Sequence, residues 1–262
     1  MDSETQPQKP ANPMPRVDST LSKGLTILET LASAGGSKGV SEISRELGLT
    51  KSNTFRLLQT LSTLGYVRHE EDKTYSATLK MWQVGRAVVE NLNLRAVAAP
   101  LMSFLSNETN ETVYLAVRDG LQVVYVDKVE SVQPIRSWNP IGGTAPLYCV
   151  GTGKAMLAAD YHELRQKIGP TLKPFTDRTL TDLAALDKDM EVTRLRGYAV
   201  DTGEFRPQIY SIGAVIALPD GTAAGAIGVS LPDVNLADGR VEKIGALVQH
   251  ASQSVSANLA RL

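Results

Sequence analysis

The stretch that most limits what this chain can become is residues 19–78, where three short helical patterns are set off by glycines and followed by a hairpin pattern. Leu21, Leu25, Leu28, Leu31 and Ala32 recur at the helical period, and Gly35 and Gly36 close a helix predicted over 19–34. Ser41 is placed as the N-cap of a second, short helix, with Glu42 in its first turn, Ile43 and Leu47 facing inward and Gly48 as the left-handed stop. Thr50 caps a third helix running to about Leu64, whose inner face is Leu57, Leu58, Leu61 and Leu64; Gly65 ends it. Residues 66–69 and 74–78 then read as two strands around a tip at 70–73. Only Gly48 and Leu49 separate the second and third helices, a turn tight enough to hold them at a steep angle. Helix, helix, tight turn, helix, hairpin is the order of a winged helix-turn-helix.

Opposite its inner face, the third helix carries Ser52, Arg56, Gln59 and Thr63, with Lys51 and Asn53 at its start, and residues 51–64 contain no acid. From Ser37 to Gln59, Lys38, Arg45, Lys51 and Arg56 stand against Glu42 and Glu46, four bases against two acids, a local +2. An isolated polar face is most often a solvated one. Joined to this element order, it makes Arg45, Lys51, Ser52, Asn53, Arg56 and Gln59 candidates for contact with DNA. The hairpin tip argues the other way, because Glu70, Glu71 and Asp72 repel phosphates; a wing contact would fall to Arg68, His69 and Lys73.

Bulk charge adds nothing, since 27 Lys and Arg against 28 Asp and Glu leave −1, so any basic patch is local. The single cysteine, Cys149, excludes an internal disulfide framework and fits a cytoplasmic protein. His69, His162 and His250 lie too far apart, with one cysteine, for a familiar zinc spacing, and no metal is expected. Residues 1–17, with four prolines and almost nothing large and apolar, read as a disordered arm. They hold no apolar core of a signal peptide, and no stretch approaches the length of a membrane span.

Residues 79–92 place Met81, Val84, Val88 and Leu92 at helical spacing, a connecting helix whose stripe suits a core or a dimer contact. A helix over about 96–108 follows, with Pro100 expected in its first turn. Residues 112–117 and 121–129 around Asp119 and Gly120 form one hairpin, and 209–218 and 223–231 around Pro219, Asp220 and Gly221 another. Helices are expected near 152–159, 183–196 and 236–259. Hairpins with helices on one face make an α+β domain with an antiparallel sheet.

Gly151-Thr152-Gly153-Lys154 invites a phosphate-loop reading, but Tyr148 and Ala155 stand where that pattern needs glycine and a hydroxyl. The remaining idea is that a glycine-rich turn entering a helix offers N–H groups to an anion, though a plain loop-to-helix turn fits equally well. No nucleophile elbow occurs, Cys149 has no placed histidine partner, and Asp127, Lys128 and Glu130 read as a solvated strand edge. No catalytic set emerges.

These blocks together resemble the IclR-type bacterial transcriptional regulators. The likeness rests on TLSKGLTILETLA, SEISRELGLTKSNTFRLLQTLSTLGYV and TYSATLKMWQVGRA, then on NETVYLAVRDGLQVVYVDKVES, IGGTAPLYCVGTGKAMLA, RGYAVDTGEFRP and GAIGVSLP. It implies a winged helix-turn-helix over 18–78, a linker helix over 79–93 and a GAF-like effector-binding domain over 94–262. It also implies a homodimer or homotetramer on palindromic double-stranded operator DNA, without a cofactor. The function implied is a ligand-responsive repressor of a catabolic operon, modulated by a small organic or aromatic acid. Effector contacts carry over to Gly151, Thr152, Asp201, Ile209, Ser211, Gly228 and Ser230. Several family members have cysteine where Ser211 stands and serine where Gly228 stands, and glycine and proline are common where this chain has Gln208 and Val215. A carboxylate is expected between the turn at Gly151 and Thr152 and the hydroxyls of Ser211 and Ser230, with no Arg or Lys placed beside it. Trp138, Tyr148 and Tyr210 are candidate aromatic walls, or ordinary core. Two alternatives remain at this stage: an enzyme acting on a small acid through the C-terminal domain, and a winged helix used only for protein contacts.

Overall fold

The computed structural model describes residues 18–90 and 94–261, with side chains given outside 86–90. The expected arm at 1–17 and Leu92 lie outside the described residues. The chain falls into two compact units, one ending at Val88 and the other beginning at Val89.

In the first unit, α1 (Ser19–Ser33) is capped by Asp18, whose carboxylate accepts from the N–H groups of Thr20 and Leu21. Its buried stripe is Gly24, Ile27, Leu28 and Leu31. The expected stripe was set too far round the helix: Leu21 and Leu25 are 64% and 50% exposed, and Ala32 is exposed too. One residue is about 100° of rotation, so Leu25 turns away once Gly24 faces the core. Strand β1 (Lys38–Gly39) follows, then α2 (Val40–Glu46). Ser41 is therefore not the cap. Lys38 and Gly39 pair with Tyr75 and Thr74, which holds the backbone extended up to Gly39 and starts the helix at Val40. Gly48, at φ +63°, makes the turn into α3 (Lys51–Thr63), where the Thr50 hydroxyl accepts from the Asn53 N–H. Thr54, Leu57 and Leu58 are the buried face of α3, while Leu64, past the last turn, is exposed. Strands β2 (Val67–His69) and β3 (Thr74–Ala77) complete a three-stranded sheet in the order β1-β3-β2. Ile27, Leu31, Ile43, Leu57, Leu58, Val67 and Tyr75 form one core. Each fully buried aliphatic side chain among them contributes about 1.5–3 kcal/mol. Helix α4 (Lys80–Glu90) leads onward, its Lys80 ammonium donating to the Leu64 carbonyl that α3 leaves open.

The second unit is built on six strands, all antiparallel, in the order β6-β5-β4-β9-β8-β7. These are β4 (Thr112–Asp119), β5 (Gln122–Val129), β6 (Thr144–Pro146), β7 (Ala199–Thr202), β8 (Ile209–Ala217) and β9 (Ala223–Pro232). Asp119 pairs with Gln122, so the first hairpin turns on Gly120 and Leu121 rather than on Asp119 and Gly120. Helices cover both faces of the sheet, not one. On one face α5 (Leu94–Thr109) and α9 (Arg240–Leu259) pack over Val113, Leu115, Ile212, Ile227 and Val229. On the other, α6 (Gly151–Ala159) packs over Tyr114, Ala116 and Ala226, with α7 (Tyr161–Ile168) and α8 (Leu183–Arg196) beyond it. Alternate residues of β4 point to opposite cores, as strand geometry demands. That double burial, not a polar face, explains its unbroken apolar run. Pro100 lies in the second turn of α5, because the helix starts at Leu94, whose side chain is buried against the sheet. Its missing N–H leaves one carbonyl of the preceding turn without its helical partner.

Helix α6 reaches the sheet through glycine. A Cβ at Gly213 would stand 2.7 Å from Gly151 C and from Thr152 N, and one at Gly151 would stand 2.7 Å from Ser211 O. The first turn of α6 therefore lies backbone to backbone on β8.

Candidate functional site

Each unit holds one candidate site. In the first, Lys51, Ser52, Arg56, Gln59 and Thr63 are all exposed on one side of α3, with Asn53 half-buried at its start. The Arg56 guanidinium donates to Asn53 Oδ1 at 3.4 Å, a long contact that leaves most of its donors open. Arg45 is exposed in the last turn of α2. Both nearby acids are held by one base: Lys38 Nζ is 2.5 Å from Glu46 and 3.6 Å from Glu42. Arg45, Lys51 and Arg56 are thus left as the cations of this face, set for a polyanion.

The wing is different. Arg68 donates through Nε and Nη2 to Glu70 Oε1, at 3.0 and 2.9 Å, and Ser76 donates to the same oxygen. Arg68 and then Ser76 hold the Glu70 carboxyl below the usual carboxylate range. Lys73 sits at the tip with φ +65°, exposed, beside Asp72. Of the three wing candidates, Arg68 is already engaged with Glu70.

In the second unit, the sheet register assembles a site from four strands. Asp201 on β7 lies opposite Ser211 on β8, Ser211 opposite Ser230 on β9, and Ser230 opposite Thr112 on β4. Two residues along, Gly213 lies opposite Gly228, and Gly228 opposite Tyr114. The row faces α6 and borders a cavity of about 410 Å³ counted out to its mouth. Thr152, Asp201, Ile209, Ser211, Gly228 and Ser230 all line it, as do Tyr114, Tyr125, Asn139, Phe205 and Arg206.

Gly151, the seventh expected residue, does not line the cavity. Its N–H donates to Ser211 Oγ at 2.8 Å, and Ser211 in turn donates to Asp201 Oδ2 at 2.7 Å. Ser230 donates to Ser137 Oγ at 2.8 Å and lies 3.2 Å from the Tyr210 carbonyl. The Gly151 N–H and the Ser211 hydroxyl are therefore spent within that chain, and the Ser230 hydroxyl is spent on Ser137 and Tyr210. What faces the cavity instead is the first turn of α6 at Thr152, the Tyr125 phenol, Asn139 and Arg206. Burial pushes the Tyr125 hydroxyl well above its ordinary range, so it remains a proton donor. Arg206 corrects the expectation of a pocket without a cation; its Nη1 donates to the Trp138 carbonyl at 3.0 Å. The aromatic walls are Tyr114, Tyr125 and Phe205 rather than Trp138, Tyr148 and Tyr210. Trp138 is half-exposed, and Tyr148 borders a neighbouring open hollow with Phe175 and Lys173. Tyr210 accepts from Arg178. Strand alternation alone marks Tyr125 as facing the same core as Tyr114; nothing local flags Arg206.

Gly228 also gains an explanation. A Cβ there would meet Thr152 Cγ2 at 2.8 Å, so the threonine methyl occupies the space a serine would need.

Asp201 is 3% exposed. Its Oδ1 accepts from the N–H groups of Gly203 and Glu204, at 3.0 and 2.7 Å. Burial pushes its pKa up to about 6, against the hydrogen bonds of Glu204 and Ser211 and the charge of Lys154. Behind it, Lys154 of α6 is 1% exposed and donates to the Val200 carbonyl at 3.0 Å and to Glu204 Oε1 at 2.6 Å, with Asp189 of α8 at 2.9 Å. Burial pushes Glu204 up to about 7, and its Oε2 is buried with no partner among the described residues. One ammonium thus ties α6, β7, the turn after β7 and α8 together. Among the described residues no group of three or more His, Cys, Asp or Glu is placed to hold a metal ion, and no helix is long and apolar enough to cross a membrane.

A helix-turn-helix unit followed by an α+β unit is the architecture of a DNA-binding regulator. The family model described as the IclR helix-turn-helix domain matches residues 20–71, and that of the bacterial transcriptional regulator IclR C-terminal matches residues 86–257. The chain is 35% identical over 242 residues to the HTH-type transcriptional repressor AllR of Escherichia coli strain K12, covering 91% of this chain and 89% of that one. It shares a TM-score of 0.79 and 30% identity with the crystal structure of the Thermotoga maritima IclR, over 92% of this chain and 98% of that one. An IclR homologue from Microbacterium hydrocarbonoxydans, solved with 4-hydroxybenzoate, shares the fold at a TM-score of 0.81 and 21% identity, over 93% and 100% of the two chains. This chain belongs to the IclR family of bacterial transcriptional regulators: it is a regulator and not an enzyme.

Proposed function

We propose that the protein is a ligand-responsive repressor of a catabolic operon. It binds double-stranded operator DNA as a homodimer or homotetramer, with α3 in the major groove. A small organic or aromatic acid in the second unit shifts the equilibrium between DNA-binding states through its differential affinity for them. The observation that carries this reading is the row Asp201, Ser211 and Ser230 facing the first turn of α6 across a polar-lined cavity. The relative named a repressor supports the direction of control, and the homologue holding 4-hydroxybenzoate supports an aromatic acid as one ligand class. The carboxylate lies against Thr152, Tyr125, Asn139 and Arg206, because the Gly151 and Ser211 donors are already satisfied. Asp201 meets a hydroxyl, an amine or a water.

Calorimetry with a panel of carboxylates and their methyl esters, beside a gel shift on the DNA upstream of its gene, tests both halves. Binding of acids and not esters, with a matching change in DNA affinity, is expected. Equal binding of acid and ester removes the anion argument; no binding to upstream DNA at any salt concentration removes the repressor.

A further inference from the structure

We infer that Phe55 is a base-reading residue, contacting the C5 methyl of a thymine in the major groove; this rests on the proposal that α3 enters that groove. Phe55 is 45% exposed and takes no part in the core that Leu57 and Leu58 build from the same helix. It stands one turn before Gln59, and the two border an open hollow with His69 and Tyr75 of the wing, whose ring centroids lie 4.7 Å apart at a tilt of 43°. A large apolar side chain exposed on an otherwise polar helix face, flanked by Arg56 and free of acids, suits an apolar feature within a polyanion's groove. In the major groove the thymine methyl is the apolar feature that distinguishes one base pair from another. Gln59, one turn on, reads by hydrogen bonds and is blind to that methyl. The two residues therefore divide the reading between shape and polarity.

The probe is a random duplex library, from which the full-length protein selects its preferred sequence; each selected thymine is then replaced in turn by uracil, which removes the methyl alone. The unchanged protein should lose about four-fold in affinity for each methyl that Phe55 contacts, the value of one buried methyl group. Phe55→Ala should bind more weakly and show no penalty at that thymine. Gln59→Ala should also bind more weakly yet keep the penalty, which separates methyl reading from general damage to the helix. Circular dichroism checks that both variants fold. An unchanged protein indifferent to every uracil, or a Phe55→Ala protein with the same penalty, overturns the inference while leaving DNA reading intact. Failure of the unchanged protein to enrich any sequence overturns the DNA-binding proposal and the inference with it.

Discussion

The face of α3 and the cavity under α6 answer to opposite physics. On α3 the polar side chains stand in water, with their donors largely unspent and their neighbouring acids neutralised by Lys38. Around the cavity Thr152, Asp201 and Ser230 are buried, and the network includes a chain from the Gly151 N–H through Ser211 to Asp201. An open array of cations acts at a distance and weakens as salt screens it. A closed network acts only on what fits, and burial makes its carboxyls sensitive to protons. The lesson is that the same chemical groups suit a polyanion or the proposed small ligand according to how many of their bonds the fold has already made.

The contrast has measurable edges. The largest effect is expected at the seam: Gly213→Ala puts a methyl 2.7 Å from backbone atoms that no rotamer change can move. It should cost about 3 kcal/mol in urea unfolding of the second unit. A near-neutral result would mean the seam opens more readily than its geometry implies. Arg56→Ala should weaken operator binding by about 1–3 kcal/mol, change affinity for an unrelated duplex much less and leave stability untouched. Unchanged operator affinity in a folded variant would remove α3 as the reading helix. Arg68→Ala, already paired with Glu70, should cost less than Arg56→Ala in the same titration.

Protons should separate the two sites next. Asp201 and Glu204 have folded pKa values of about 6 and about 7, above their ordinary values. The folded state therefore binds protons that the unfolded chain has released. Their contribution to stability is complete below about pH 4 and is lost as pH rises through 6 and 7. Thermal melts should show the second unit falling in midpoint between pH 5 and 8, with a shallower fall in Asp201→Asn. Affinity for a carboxylate should rise about tenfold over the same range as pH is lowered, since a neutral Asp201 no longer repels it. Affinity lowest at acid pH would place the ligand's charge far from Asp201. The smallest effect concerns Gln208, at φ +63°. Gln208→Gly should relieve left-handed strain and gain under about 1 kcal/mol, read from the denaturation midpoint.

Much of the first unit was legible because its information is local. Thr50 sits one residue before its helix, and Leu57 and Leu58 lie on one stripe of it. What escaped there, the two-residue strand at Lys38 and Gly39, depends on pairing with Thr74 and Tyr75 more than thirty positions away. In the second unit the hairpins were readable from apolar runs, but α7, β6 and β7 are short. The effector positions came from the family resemblance, because no spacing within the chain brings Asp201, Ser211 and Ser230 into one row; only the register does. The same non-locality hid Arg206, and it hid the fact that Ser211 is spent on Asp201.

The glycine contact between α6 and β8 also bears on how such a sensor diversifies. Backbone against backbone leaves no side chain to trim and no room to add one, so one wall of the chamber is fixed for every sequence that keeps the fold. Accommodation to ligands of new size must come from the opposite wall, at Asn139, Phe205 and Arg206, which belong to connecting segments and not to the packed strands. If the proposed ligand site is right, substitution in that half should change which ligand fits without touching the fold.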